Sequence, residues 1–451
     1  MLLKIPEKLR DLAEKADFPL YVAGGAVRDA LSGFDYEDID LAAPAAADEM
    51  CTLAERCGFT VCGVYKNTGT VNLSDGQKKY EFTSFRTDVY RRGANAGGHA
   101  PAEIRFTGSI EEDAKRRDFK CNAVYYDIAN DGIADPLGGV ADIRARTVNT
   151  TRDADEVFAE DGLRLMRLAR QCGQTGFAPS LECIFGAKFN AARIQKIVPE
   201  RIFAELKLLL HADEKHGVRF GHYDGLKLLE GTDVLGYILP ELAAGKGMPQ
   251  RKDFHDHDVL EHSLRAAKYA DPRVRLAALL HDAGKPWCYQ NTGKYHGHDE
   301  AGARIGRQIL ERLKAPKKET ETVVRLIGAH MYDLDGKARE SKVRAFIAKN
   351  ADIYELLLLV KQADYMACKD KTDVCPTIVK WEGIRKKMLD EGAPFTLKEL
   401  KIDGNALKGL FPPEKIGKAL NTLFFECVYD GKKNDPEKLR TAAEKLAAKE
   451  I

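Results

Sequence analysis

The sequence predicts an α+β chain in which a mixed sheet-and-helix N-terminal part precedes an all-α remainder. Three observations carry this. Up to about residue 147, short apolar runs alternate with turn signals, as strands and helices in alternation require. From about Asp153 onward the apolar residues recur at helical spacing, with capping residues at sensible places and few strand signals. At 451 residues the chain is also too long for one compact core, and length alone points to roughly three domains.

In order, residues 18–23 suit a strand, 26–31 a helix, 38–43 a second strand and 46–57 a helix. Between residues 69 and 86, two β-prone runs flank Ser74-Asp75-Gly76 and predict a hairpin. Residues 87–104, rich in Gly and Arg, read as a loop of a length that is commonly functional or disordered. Soft boundaries near Thr147, near Ala212, within 245–254 and after Lys371 divide the chain into 1–147, 148–212, 213–254, 255–371 and 372–451. Residues 435–451 form a charged amphipathic helix, and neither a repeat nor a low-complexity tract occurs.

Composition narrows the class. A hydrophobic content of 44% is ample for burial, yet the longest apolar runs, such as 354–360, fall far short of a membrane span. Met1-Leu2-Leu3-Lys4-Ile5-Pro6 has no signal-peptide architecture, so a soluble cytoplasmic protein without a membrane partner is expected. Ten cysteines lie scattered, with no Cys-x-x-Cys pair, and are expected to be reduced thiols. Because 70 basic residues face 69 acidic ones, the net charge of +1 says nothing about a polyanionic partner. Local basic faces occur at Arg116-Arg117, along Arg164, Arg167 and Arg170, and in the C-terminal third, though each alone is ordinarily a solvated helix face.

The most informative stretch is Gly24-Gly25-Ala26-Val27-Arg28-Asp29, followed by Asp38-Ile39-Asp40-Leu41. Residues two apart on a strand share a side, so Asp38 and Asp40 would present paired carboxylates while Ile39 and Leu41 face the core. Such a pair suits Mg2+, which takes oxygen ligands beside substrate phosphates, and two ions can stabilise the attacking and leaving oxygens of an in-line displacement. Glu81, alternating with Tyr80 and Phe82, is the candidate third carboxylate. The glycines, Gly25 included, allow close backbone approach and open a helix whose N-terminus favours phosphate, with Arg28 behind it to hold charge.

This arrangement resembles the active-site signature of the polymerase-β-type nucleotidyltransferases, specifically class II CCA-adding enzymes and bacterial poly(A) polymerases. Further stretches resemble the same family to about residue 210: Arg116-Arg117-Asp118-Phe119-Lys120-Cys121-Asn122-Ala123, Asp135-Pro136-Leu137-Gly138-Gly139, Glu160-Asp161-Gly162-Leu163-Arg164 and Glu200-Arg201-Ile202-Phe203-Ala204-Glu205-Leu206. The resemblance implies a catalytic head at 1–147, a base-recognising neck at 148–212 and a helical body at 213–254. It also implies that the third stretch selects the nucleotide and that the fourth buttresses it.

The chemistry of selection can be argued directly. At helical spacing i and i+3, Asp161 and Arg164 would set an acceptor beside a donor fork. Cytosine and adenine each show an exocyclic amine beside a ring-nitrogen acceptor and fit that pair. Guanine and uracil reverse the pattern, and a mispaired buried group costs about 1–3 kcal/mol. Arg167 and Arg170 continue the spacing towards the triphosphate, as the resemblance implies for the matching arginines, and Arg117 is expected to help. Two positions depart from the family pattern: Lys120 stands where threonine is common and Gly162 where proline is common.

A second constellation lies in the helical half. His262, His281-Asp282 and Asp364 are spaced like the signature of HD-type metal phosphohydrolases, within 255–371. His281-Asp282 is expected to end an apolar helix over 274–280, with Ala283-Gly284-Lys285-Pro286 as its stop. Imidazole with carboxylate suits manganese, iron, nickel or magnesium better than structural zinc, so a second divalent metal of open identity is expected here. His298 and His330 occur where some HD proteins place additional ligands, whereas His255, His257 and His296 singly read as structural histidines. In related CCA-adding enzymes such a domain resembles a phosphatase or 2′,3′-cyclic phosphodiesterase.

The leading expectation is therefore a CCA-adding tRNA nucleotidyltransferase using CTP, ATP and Mg2+, with an HD domain at 255–371 and a helical tail at 372–451. A poly(A) polymerase shares the first motifs, but Gly69-Thr70-Val71 looks like the matching strand of CCA-adding enzymes, and a basic stretch of poly(A)-extending enzymes is missing. A partial enzyme adding CC or A alone stays open. From other classes come an HD-type hydrolase with a nucleotide-binding N-terminal half and a non-catalytic RNA-binding module. The partner is expected to be tRNA, gripped at its 3′ end and acceptor arm by backbone and shape.

Overall fold

The computed structural model describes residues 3–90, 98, 101–251, 253 and 255–449. Two compact units emerge, Met1–Ala243 with Arg312–Ala315 and Ala244–Glu311 with Pro316–Ile451. The boundaries expected near residues 147 and 212 run inside the first unit and that after 371 inside the second.

In chain order the first strands are β1 (Tyr21–Ala23), β2 (Asp40–Ala43), β3 (Thr60–Tyr65), β4 (Thr70–Ser74), β5 (Lys79–Ser84), β6 (Arg86–Val89), β7 (Glu103–Phe106), β8 (Tyr125–Asp127) and β9 (Gly132–Ala134). Seven of them build one mixed sheet in the order β3-β4-β5-β2-β1-β8-β9, antiparallel throughout save for the β2–β5 pair. The alternation in β5 is regular: Tyr80, Phe82 and Ser84 are buried, while Lys79 and Glu81 are exposed. Ala23, Ala42, Phe85, Ala114, Ala123 and Tyr125 close one core cluster, which joins the sheet to the Ile110–Arg116 helix.

Several expectations need correction. β2 begins at Asp40, so Asp38 lies outside the strand, and β1 begins at Tyr21 rather than at 18. β3 went unforeseen because most of its residues face solvent at the sheet edge, with a register shift between Val61 and Gly63. The ends of the expected 87–104 loop pair as the hairpin β6–β7, whose exposure pattern leaves no core face to signal a strand. Residues 91–97, 99 and 100 of that segment lie outside the described residues, as do 252 and 254 of the 245–254 loop. The helical remainder is interrupted by one two-residue parallel pair, β10 (Thr147–Val148) with β11 (Ala178–Pro179).

In the second unit, Gly284 and Pro286 do not stop a helix. They open the next one, Gly284–Thr292, where a first-turn proline loses no needed N–H bond. All ten cysteines are free. No helix among the described residues is long and apolar enough to cross a membrane.

The departure at Gly162 has a steric reason. Gly162 joins the Ala154–Glu160 helix to the Leu163–Thr175 helix, and a Cβ there would stand 2.6 Å from the Arg193 carbonyl oxygen and 2.7 Å from its carbon. Backbone cannot yield as a flexible side chain does, so overpacking of about 1–3 kcal/mol follows. Gly162→Ala is therefore expected to lower the unfolding midpoint. Gly231→Ala, with no neighbour within 4 Å of its Cβ, serves as the control expected to leave the midpoint unchanged or higher.

Candidate functional site

Parallel pairing of β2 with β5 sets Asp40 opposite Glu81, and antiparallel pairing of β1 with β2 sets Ala23 opposite Asp40. The Gly24-Gly25 turn thus follows directly beside two carboxylates. Gly24 has φ +81°, and Nη1 of Arg117 lies 3.4 Å from where a Cβ would sit, so both conformation and space call for glycine. Asp40 keeps an exposed edge on the cleft but is crowded elsewhere. Loss of hydration, then the charges of Glu81 and, more weakly, Asp38, push its carboxyl up to about 6 against the pull of Arg117. Asp38 itself is exposed, two residues ahead of Asp40 across the buried Ile39.

Next to this edge opens a cleft of about 420 Å³. Every residue expected to hold the nucleotide lines it: Gly25, Arg28 and Arg117 from the head, and Asp161, Arg164, Arg167 and Arg170 from the neck. Asp40 lines it too, whereas Asp38 and Glu81 stand outside the lining. Sequence reasoning passed over Asp118, Asn122, Gln171 and Lys215, although Asp118 and Asn122 lie inside a quoted motif.

Each arginine in the cleft has an internal partner. Arg28 donates from Nε to Asp29 and from Nη1 to Oδ1 of Asn122, at 2.7 Å each. It is buried and braces the cleft wall, with the charge it was expected to bring already tied to Asp29 and Asn122. Asn122 in turn donates to Oδ1 of Asp118 at 3.1 Å and to Oε1 of Gln171 at 2.7 Å. Asp118 accepts from Arg167 at 2.6 Å; burial opposes its charge, but Arg167 and Asn122 hold its carboxyl well below the usual range. Arg117 bonds Asp113 and the Tyr125 hydroxyl, and Arg170 bonds Glu205 at 2.6 Å, which ties the Pro199–Leu210 helix to the Leu163–Thr175 helix.

The two residues expected to read the base, Asp161 and Arg164, are placed differently from expectation. Asp161 is not on a helix with Arg164: it is extended, at the C-terminus of one helix, and its Oδ1 accepts the Leu163 N–H at 2.9 Å as the next helix begins. Burial pushes its carboxyl up to about 6. The Arg164 fork donates to the Val157 carbonyl, to Glu160 and to the Arg116 carbonyl at 2.9–3.0 Å, with the Tyr90 ring 5.5 Å above it.

In the second unit the structure brings all the expected metal ligands together. His262 Nε2 lies 3.0 Å from Asp364 and 3.3 Å from His281 Nε2; Asp282 Oδ2 is 3.3 Å from His281 and 2.7 Å from Lys285 Nζ. The other oxygen of Asp282 is 3.2 Å from His298 Nε2 and 3.9 Å from His330 Nε2. Asp282 thereby belongs to two groups able to hold a metal, one with His262 and His281 and one with His298 and His330. The donor set fits a cation. Burial keeps His330 neutral, its value pushed down to about 3, while Asp282 and Asp364 stay ionised, and Nε2 of His298 and of His330 have no hydrogen-bond partner.

Comparison with known proteins supplies a frame. Residues 20–149 match the poly A polymerase head domain, 187–246 a probable RNA and SrmB-binding site of polymerase A, and 259–367 the HD domain. The chain is 30% identical to the CC-adding tRNA nucleotidyltransferase of Thermus thermophilus, over 94% of each chain. It is 28% identical to the A-adding tRNA nucleotidyltransferase of Deinococcus radiodurans, over 94% of this chain and 95% of that one. Its fold superposes on that of a Bacillus stearothermophilus CCA-adding enzyme solved with CTP, with a TM-score of 0.68, 24% identity and 98% of each chain covered.

The crowding of Asp40 yields a sign that can be measured. In the metal-free protein its carboxyl is expected to titrate near 6, and Glu81→Gln, by removing a like charge, to lower that value in a carbon-13 carboxyl titration. The folded value stands above the unfolded one, so the metal-free protein should lose stability as pH rises from about 4 to about 6, and less so in Glu81→Gln. An unmoved Asp40 would remove Glu81 as the cause.

Proposed function

The chain belongs to the tRNA nucleotidyltransferase family, and we propose that it completes the 3′ end of tRNA with CCA from CTP and ATP. The observation that carries this is the Asp40–Glu81 register opening onto a cleft lined by seven arginines. In the reaction the terminal tRNA hydroxyl oxygen bonds to the α-phosphorus of the incoming nucleotide, and the bond to the β-phosphate breaks with pyrophosphate leaving.

Asp38, Asp40 and Glu81 are the residues that would hold Mg2+. The ion supplies charge neutralisation for the phosphates and a lowered pKa for a bound hydroxyl. Their crowding fits this, because adjacent carboxylates relieve their repulsion on a shared cation. Arg117, Arg167 and Arg170 hold the triphosphate, and their existing carboxylate partners fix the direction in which they point. Asp161 accepts the exocyclic amine of C or A, while Arg164 turns from its internal acceptors to the neighbouring ring nitrogen.

A second reading, addition of CC or of A alone, is favoured by the names of the two relatives that match nearly the whole chain. Transcripts ending before A, before CA and before CCA, each offered single nucleotides, separate the two by product length. Full CCA addition is expected. Asp40→Asn should reduce incorporation about a thousandfold, the scale on which loss of one preorganised electrostatic group acts. Arg164→Ala should relax the choice of C and A over G and U, and undiminished incorporation by Asp40→Asn would overturn the assignment.

For the second unit we propose a phosphohydrolase, a phosphatase or 2′,3′-cyclic phosphodiesterase. His262, His281, Asp282 and Asp364, with His298 and His330, would hold its divalent metal, which supplies an activated water. Hydrolysis of a 2′,3′-cyclic phosphate is expected with added divalent metal, and loss of it in His281→Ala while nucleotide addition persists. Equal hydrolysis by both proteins would sink this part.

A further inference from the structure

Three histidines of the HD cluster share one device. Nδ1 of His281, His298 and His330 each bonds the carbonyl three residues back, of Ala278, Tyr295 and Ile327 at 2.6–2.8 Å, which fixes the ring and leaves Nε2 as the ligand atom. His262 breaks the pattern. It is fully buried, yet its Nδ1 has no hydrogen-bond partner, and neither has the buried Nδ1 of neighbouring His255.

Those two rings stand perpendicular with centroids 4.8 Å apart, and Cys368 completes a group whose donor atoms all lie within 4.8 Å of one another. Cys368 occurs one helical turn after Asp364 on the Tyr354–Lys369 helix. Its carbonyl accepts the N–H of Asp256 at 3.2 Å, and Lys369 lies 3.7 Å from the Asp256 carboxylate, so the segment carrying His255 is tied to this helix at two points. His255 and Cys368 are only half-buried. They retain the side-chain freedom to draw in to the 2.0–2.3 Å or so at which zinc binds nitrogen and sulfur.

We propose that His255, His262 and Cys368 form a thiolate-bearing site for one borderline-soft divalent cation of the zinc type, flanking the histidine–aspartate centre. The donor chemistry separates the two. Carboxylate and imidazole suit the harder ions, whereas one sulfur with two imidazoles selects zinc and its like. On binding, a sulfur–metal bond forms as the thiol proton leaves to solvent, and nothing is oxidised or reduced. Because His262 serves both groups, occupancy of one bears on the other.

Cobalt(II) alone, added to the full-length protein after chelator treatment, reads the site optically. A near-ultraviolet thiolate-to-cobalt charge-transfer band is expected in the parent, lost in Cys368→Ser and weakened in His255→Ala, each variant first shown to be folded by circular dichroism. Cys368→Ser should also release one proton fewer on saturation. His330→Ala, which alters only the far side of the HD cluster, should keep the band. A parent protein without the band, or a band undiminished in Cys368→Ser, overturns the site. Visible ligand-field absorption that persists in that case would leave the HD reading standing.

Discussion

The first unit is organised around an electrostatic conflict, two carboxylates held side by side by the parallel register of β2 and β5. Backbone pairing fixes Asp40 opposite Glu81. Loss of hydration and then the Glu81 charge push the Asp40 carboxyl up to about 6. A cation would relieve that repulsion, and the Gly24-Gly25 turn lies directly beside it.

The surrounding arginines show the opposite treatment of charge. Asp113, Asp118, Glu160 and Glu205 each hold at least one arginine of the cleft, and Asn122 links Arg28 to Asp118. Bound in this way the guanidinium groups have little freedom left to lose, and the cleft presents donors already oriented. Arg164 differs, because two of its three acceptors are backbone carbonyls that cannot follow it. Under the proposed function its reorientation would be driven by the base itself, which would place selectivity in the exchange rather than in a preformed pair.

The legibility of these features in sequence followed the range of the interactions. Gly-Gly, Asp-x-Asp and His281-Asp282 were readable because their chemistry is local. Glu81 was readable from alternation, although its partner across the sheet was not, since nothing in residues 79–84 names β2 as a neighbour. Asp161 and Arg164 were assigned to one helix because their spacing is helical, but the glycine between them lets two helices meet there. The ties of Arg28 to Asp29 and Asn122 were not legible, because both looked like ordinary motif residues until the fold closed them around it. His255 and Cys368 were invisible as a pair, since 113 residues separate them and a single cysteine reads as inert.

Asp282 is a buried carboxylate shared between two groups able to hold a metal. One of its oxygens faces His281 and Lys285, the other His298 and His330. Lys285 is the one cation in this contact set whose charge does not depend on a histidine proton, and its bond reaches only the first oxygen. On the second side burial pushes the His330 value down to about 3, so that ring faces the oxygen as a neutral imidazole. A buried carboxylate oxygen facing lone pairs is unfavourable unless positive charge stands between them. Against the pull of burial, the neighbouring carboxylates push the His281 imidazole up to about 10, so that ring and Lys285 supply positive charge on the first side, and the second side is where a bound cation would gain most.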